Sequence, residues 1–306
     1  MFNRLAINNK RLFADWLIGR SMRGIALLSA SLILVIGAAL VWKSRQVVGG
    51  HSLLDLFLGS SWKPSRGEFG FLPFILGTVW VTITASIIAI PPAILTSLYL
   101  TEYADKKLGR WIDPLVDILA GIPSIVYGIW GVLVVVPFIK DHFAPFFGVP
   151  SAGYSVLAGG TVLAIMIVPI IMHVSCEVLR SVPKELKEAS LALGATKWQT
   201  IKGVVLKRAM PGMVAACVLG ISRAFGETMA VVMVVGNVAK LPKTVFSPAY
   251  PLPALIANHY GEMLSIPMYD SALLFAALIL FLAVIYFNLV ARMILTGSKW
   301  SVYYGG

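Results

Sequence analysis

The chain has 306 residues, of which 58% are hydrophobic and 13% charged, with a formal net charge of +11 and a mean hydropathy of +0.85. So few polar side chains could not cover the surface of a water-soluble domain, so composition excludes a soluble globular protein and points to a polytopic membrane protein in lipid. The basic excess reads as topology signals and anchors for anionic lipid, and implies no nucleic-acid partner.

Uncharged runs of about 18 residues or more are spanning candidates. The first, residues 24–42, outruns a signal-peptide core and no small-residue cleavage site follows it, so it is expected to remain as an anchor. With its flanks it makes an N-terminal unit, 1–68. The second run, 69–101, exceeds one straight span through about 30 Å of hydrocarbon. Pro91 and Pro92 inside it are expected to kink or break it, and Phe69, Gly70 and Pro73 to form a lead-in along the outer surface. The third run is 118–139. The fourth lies within 142–176 and starts at Ser155. Pro123, Pro169 and Pro211 mark the third, fourth and fifth runs, which fits either ordinary membrane packing or broken helices around a pathway. The fifth run, 209–239, is interrupted only by Arg223 and Glu227, and the sixth is 271–291. The fold class is therefore all-α with six transmembrane helices, a core over 69–295 and a tail over 296–306.

Charge sets the direction. Arg4, Lys10, Arg11, Arg20 and Arg23, then Lys106, Lys107 and Arg110, then seven basic residues from Arg180 to Arg208, then Arg292 and Lys299, share one side of the membrane. The other side holds Lys43, Arg45, Lys63, Arg66, Lys140, Lys240 and Lys243. The positive-inside rule places both termini in the cytoplasm. Trp42, Trp111 and Trp300 fall near span ends, where indole rings favour the headgroup zone.

The inside loop between the fourth and fifth spans is patterned. Ser181 is positioned to cap a helix with Pro183 in its first turn. Leu186, Ala189 and Leu193 then share a helical face, Gly194 supplies a turn, and Trp198, Ile201 and Val205 repeat the spacing on a second helix. Such a stripe could lie on lipid, pack on the chain's own spans or insert into a partner groove. The loop resembles the EAA loop of bacterial ABC-importer permeases. Glu188, Ala189 and Ser190 match its first three positions, Gly194 its glycine, and Val204 and Leu206 its apolar pair, while Lys207 stands where the pattern has proline. The resemblance implies a loop seated in a cleft of an ATP-hydrolysing subunit. No G-x-x-x-x-G-K-[ST] phosphate loop occurs in the chain, so ATP hydrolysis is expected on a partner.

Arg223 and Glu227 lie four residues apart, so one helix would bring them together. They are read either as a neutralising pair that fixes register or as a pathway site in which the arginine fork binds a phosphate-like oxyanion. Ala216, Gly220 and Ala224 form a small-residue stripe for close helix packing. The run RAFGETMAV is similar to the fifth-span motif of PstC-type phosphate permeases, and IPSIVYGIWG, residues 122–131, to their third-span motif. MIVPIIMHVSCEVLRSVPKELKEASLALGAT resembles their fourth span and loop. The resemblance implies a MetI-like, type I ABC-importer permease, non-catalytic, in the bacterial inner membrane. It also implies a second, PstA-type permease, two ATP-binding subunits that carry the ATP and Mg, and an extracytoplasmic phosphate-binding protein. It gives Arg223 and Glu227 a role in the pathway. Sulfate or molybdate transport, a stand-alone proton-coupled anion carrier, and a scaffold that binds a regulator remain as alternatives. His173 reads as a packed or interfacial residue, and Glu102, Asp105, Asp113 and Asp117 as a solvated face.

Overall fold

The computed structural model describes residues 9–261 and 268–303, with side chains over 15–105, 107–261 and 268–294. Arg4, the Lys10, Arg11 and Lys299 side chains and the Trp300 ring lie outside the described residues. Helix α1 (Asn9–Gly50) is followed by a short α2 (Leu53–Leu58) and a two-stranded antiparallel hairpin, β1 (Trp62–Lys63) and β2 (Glu68–Phe69). Helix α3 (Leu72–Glu102) comes next, then α4 (Lys106–Gly121). The third span is a continuous rod made of α5 (Ser124–Trp130), α6 (Val136–Phe138) and α7 (Ala144–Phe146), joined by π turns over Gly131–Val135 and Ile139–Phe143. Helix α8 (Val156–Arg180) leads into α9 (Lys184–Ala192), α10 (Lys197–Thr200), a π turn over Ile201–Val205, and α11 (Leu206–Phe225). Short helices α12 (Met229–Val234) and α13 (Leu252–His259) precede α14 (Tyr269–Tyr303).

Among the described residues, six helical segments are long and apolar enough to cross a membrane: Asp15–Gly50, Leu72–Glu102, Ser124–Phe146, Val156–Arg180, Lys197–Phe225 and Tyr269–Ile294. They match the six runs in order, with three corrections. First, α3 is unbroken through Pro91 and Pro92. Breaking it in lipid would strand several backbone groups without water, whereas two prolines forfeit only their own donors. The 31 residues span about 46 Å, so α3 projects beyond the hydrocarbon. Phe69 and Gly70 precede it, as expected of a lead-in, but Pro73 belongs to its first turn. Second, the third span starts at Ser124, because Pro123 forces Ile122 into extended backbone (φ −67°, ψ 129°). Residues 118–121 close α4 instead. Third, the fifth span begins early and stops at Phe225, as described below.

The buried core has three parts. The central one joins α3, the third span, α8 and α12 through Val81, Ala85, Val162, Ile167 and Val234. Close packing here needs small residues: a Cβ on Gly160 would meet Thr84 Cγ2 at 2.6 Å. One end of the bundle carries the α8–α11 connection and is called the loop end. At the far end, Trp62 of the hairpin sits among Phe69, Phe71, Phe74 and Tyr269 in edge or tilted contacts, over Leu252 and Leu255 of α13. In that hairpin the Ser61 hydroxyl donates to Glu68 Oε2; this bond, with Lys63 and Arg66 nearby, holds the carboxyl below its usual range.

Helix α4 lies at the loop end as an amphipathic segment. Leu108, Trp111, Leu115 and Ile118 are exposed along one stripe. Asp113 reaches Arg180 at 3.5 Å and Asp117 reaches His173 at 2.8 Å. These acidic residues therefore tie α4 to α8, and Glu102 is paired with Lys187. The solvated-face reading holds for the exposed Asp105 and for Asp113 and Asp117, whose side chains stay 43% and 60% exposed in their ion pairs, and fails for Glu102, which is 9% exposed.

Candidate functional site

Helix α11 ends at Phe225, inside the apolar run of 209–239. The Gly226 N–H donates to Arg223 O at 3.2 Å and the Glu227 N–H to Ala224 O at 3.3 Å, both tightened last-turn bonds. The chain then leaves helical geometry until α12. Glycine weakens the helix at 226. The side chains beyond it stabilise the break: Thr228 N–H donates to Glu227 Oε1 at 3.2 Å, and Thr228 Oγ1 donates to Gly226 O at 3.3 Å. Among the described residues no ion pair joins Glu227 to Arg223 across this break. The expectation of a neutralised pair on one helical face is corrected here. The sequence reading also overlooked Gly226 and Thr228, although a Gly-Glu-Thr step closing an apolar helix carried the signal.

Neighbouring contacts tie this break to α14. Ser222 Oγ accepts from Asn288 Nδ2 of α14 at 3.1 Å, and the Phe225 and Phe287 rings lie 5.4 Å apart. Ala216, Gly220 and Ala224 are buried as the small-residue stripe predicted, and a Cβ on Gly220 would stand 2.6 Å from Ile171 of α8. While Ser222, Ala224 and Phe225 are buried, Arg223 is exposed and Glu227 half-buried. A backbone break with an exposed guanidinium at membrane depth is tolerated only against protein or a water-filled cavity, not against lipid.

The loop end presents the second element. The Ser181 Oγ donates to Val178 O and closes α8, and Pro183 stands at the start of α9, so Ser181 does not cap the loop helix. Gly194 holds a left-handed φ of +83° between the two loop helices. Thr196 and Gln199 form a capping box that starts α10. The two halves of the apolar pattern have different fates. Ile201 and Val205 are buried against Leu98, Leu179, Val182, Ala209 and Met213. Leu186, Ala189 and Leu193 face outward, with Leu193 at 89% exposure and Trp198 at 53%. Glu188 is exposed, Ser190 shares a 2.9 Å hydroxyl contact with Thr200, and Val204 and Leu206 are half-buried. With Lys207 in place of proline, its backbone N–H is retained and the helix runs without interruption from Lys197 to Phe225.

A cavity of about 560 Å³ opens at the far end between residues 149–154 and 232–248, beside Tyr154, Asn237 and Phe246. Neither Arg223 nor Glu227 lines it. On this chain Arg223 is exposed and Glu227 half-buried.

Six spans, a polar helix break within the fifth apolar run and an outward-facing loop helix define the membrane-spanning subunit of a transport system. The chain matches the family described as binding-protein-dependent transport system inner membrane component over residues 93–296, and it belongs to that family. It is 36% identical to the phosphate transport system permease protein PstC of Xylella fastidiosa, over 89% of this chain and 85% of that one. It is 37% identical to PstC of Haemophilus influenzae, over 88% of each. The probable ABC transporter permease YqgH of Bacillus subtilis is 39% identical over 77% of this chain and 75% of its own length. Among solved structures, a chain of a bacterial alginate ABC transporter aligns with a TM-score of 0.62 at 16% identity, covering 97% of this chain and 99% of that one. A chain of the MetNI methionine ABC transporter aligns at 0.53 with 21% identity, covering 72% and 93%. The fold is that of ABC-importer permeases, and the protein is a multi-pass inner-membrane component.

Proposed function

We propose that this chain is the permease subunit of an ATP-driven phosphate importer and forms half of the translocation pathway. The observation that carries the reading is Arg223, exposed in the last turn of α11 within the fifth apolar run. Its planar fork suits a phosphate oxyanion, and an intramembrane cation needs a polar counterpart. The PstC relatives support phosphate over sulfate or molybdate. A PstA-type permease completes the pathway, an extracytoplasmic binding protein delivers phosphate, and two ATPase subunits bind ATP and Mg. Glu188, Ala189 and Gly194, with Val204 and Leu206 behind them, form the ATPase docking element. ATP binding closes the partner cleft, the loop moves, and the spans open outward.

The test is reconstitution. Proteoliposomes holding both permeases and the ATPase, supplied with binding protein, should accumulate labelled phosphate only with ATP, and excess sulfate or molybdate should not compete. Uptake by this chain alone under a pH gradient would instead establish a proton-coupled carrier. Loop-dependent binding of a regulator without any uptake would establish a scaffold.

A further inference from the structure

Two lysines of the docking loop converge on one helix end. Lys187 of α9 places Nζ 2.6 Å from Oε1 of Glu102, the last residue of α3. The Glu102 side chain is 9% exposed and that of Lys187 24%; among the described residues no other ion pair is so withdrawn from solvent. Lys197 of α10 sets its Nζ 4.6 Å from the ring centroid of Tyr103, which caps α3 and stacks on Tyr99. The C-terminal end of a helix carries partial negative charge, so both cations stand where the α3 dipole favours them.

Helix α3 does not join the loop in sequence, since the loop is continuous only with α8 and α11. It nonetheless runs unbroken from this contact to the far end. There the Leu252 N–H donates to Thr78 Oγ1 at 2.9 Å, and Gly77 lies against the Tyr250 backbone, where a Cβ would stand at 3.2 Å. A continuous helix clamped at both ends carries a displacement along its axis, provided the clamp at the moving end holds.

We propose that Glu102 is a positioning residue for transport: its ion pair with Lys187 fastens the docking loop to α3, so that loop movement displaces α3 together with α8 and α11. The proposal rests on the reading of this chain as an ATP-coupled permease. A charge-assisted bond shielded from water resists lateral slip in a way that a solvated pair does not.

The experiment uses the complete transporter in proteoliposomes. Glu102→Gln keeps the side-chain volume and removes the charge. It should leave subunit assembly and basal ATP hydrolysis unchanged, lower phosphate moved per ATP hydrolysed several-fold, and blunt stimulation of hydrolysis by the binding protein. Glu102→Lys should be at least as defective, and Glu102→Lys combined with Lys187→Glu should recover most of the ratio. An unchanged ratio in Glu102→Gln, a charge swap no better than Glu102→Lys alone, or loss of the ATPase from Glu102→Gln complexes overturns the proposal; the last makes the pair part of the docking scaffold. The wild-type complex controls for the functional reading. If it hydrolyses ATP without moving phosphate, that reading falls. The strut is then decided by whether binding-protein stimulation is lost in Glu102→Gln and regained in the swap.

Discussion

Arg223 carries a permanent charge on the open side of α11, while Ser222, Ala224 and Phe225 beside it are buried. An arginine at the centre of a membrane helix costs at least about 2.5–3.5 kcal/mol on insertion scales, so a polar surrounding is required when the subunit is assembled. Arg223→Gln should abolish phosphate uptake while the complex still assembles and hydrolyses ATP; normal uptake by that variant would remove Arg223 from the pathway. Arg223→Lys keeps a point charge without the fork and should retain only part of the uptake. A second expectation follows from the break at Gly226. Because no ion pair joins Arg223 and Glu227 among the described residues, Arg223→Gln and Glu227→Gln should act independently on stability, with a double-mutant coupling below about 0.5 kcal/mol by thermal unfolding in detergent. A coupling several times larger would restore the neutralising pair. The two charges were readable from the sequence, since they stand out in an apolar run. The helix end between them was not, because hydropathy does not register one glycine.

At the scale of elements, the docking loop owes its shape to one backbone angle. Gly194 sits at φ +83° with nothing within 4 Å of where a Cβ would stand, so conformation and not space demands glycine there. Gly194→Val should cost roughly 1–2 kcal/mol locally and misdirect α9 relative to α10. Co-purification of the ATPase should fall sharply, whereas Gly194→Asn, which tolerates the left-handed region, should keep most of it. Equal recovery of ATPase with valine and asparagine would refute this account. Gly220 poses the opposite problem. It has ordinary backbone but no room, and Gly220→Leu should cost about 1–3 kcal/mol by overpacking Ile171, with Ile171→Ala relieving part of the loss in melting temperature. Helical periodicity identified the loop helices and the small-residue stripe correctly, because both are local patterns. It could not divide the stripe of 186–205 into an outward half and an inward half. That division depends on Leu98 and Leu179, which come from other spans. For the same reason the pairing of Glu102 with Lys187 lay beyond reach: 85 residues of chain separate the partners.

For the whole molecule, the alternation of six spans puts residues 181–196 at one end and the hairpin of Trp62–Phe69 at the other, whichever way the bundle is inserted. Geometry therefore reduces the topology to a single binary choice, and the charge pattern predicts which one. The loop end gathers Lys107, Arg110, Arg180 and the basic residues of the docking loop, and a segment rich in Lys and Arg close to span ends resists translocation. An ATPase that supplies energy from the cytoplasm requires the same direction independently, so the charge argument and the proposed function stand or fall on one measurement. Arg66 and Lys202 are both exposed, at opposite ends, and suit replacement by cysteine. The native Cys176 and Cys217 lie within spans, buried and half-buried, and give little background. A membrane-impermeant maleimide should label Arg66→Cys from the outer face of the inner membrane in cells whose outer barrier is opened. It should label Lys202→Cys only after the inner membrane is breached as well. Labelling of Lys202→Cys in sealed cells would reverse the bundle, place the docking loop where no ATP is present, and leave Arg223 in a pathway that the proposed motor could not drive.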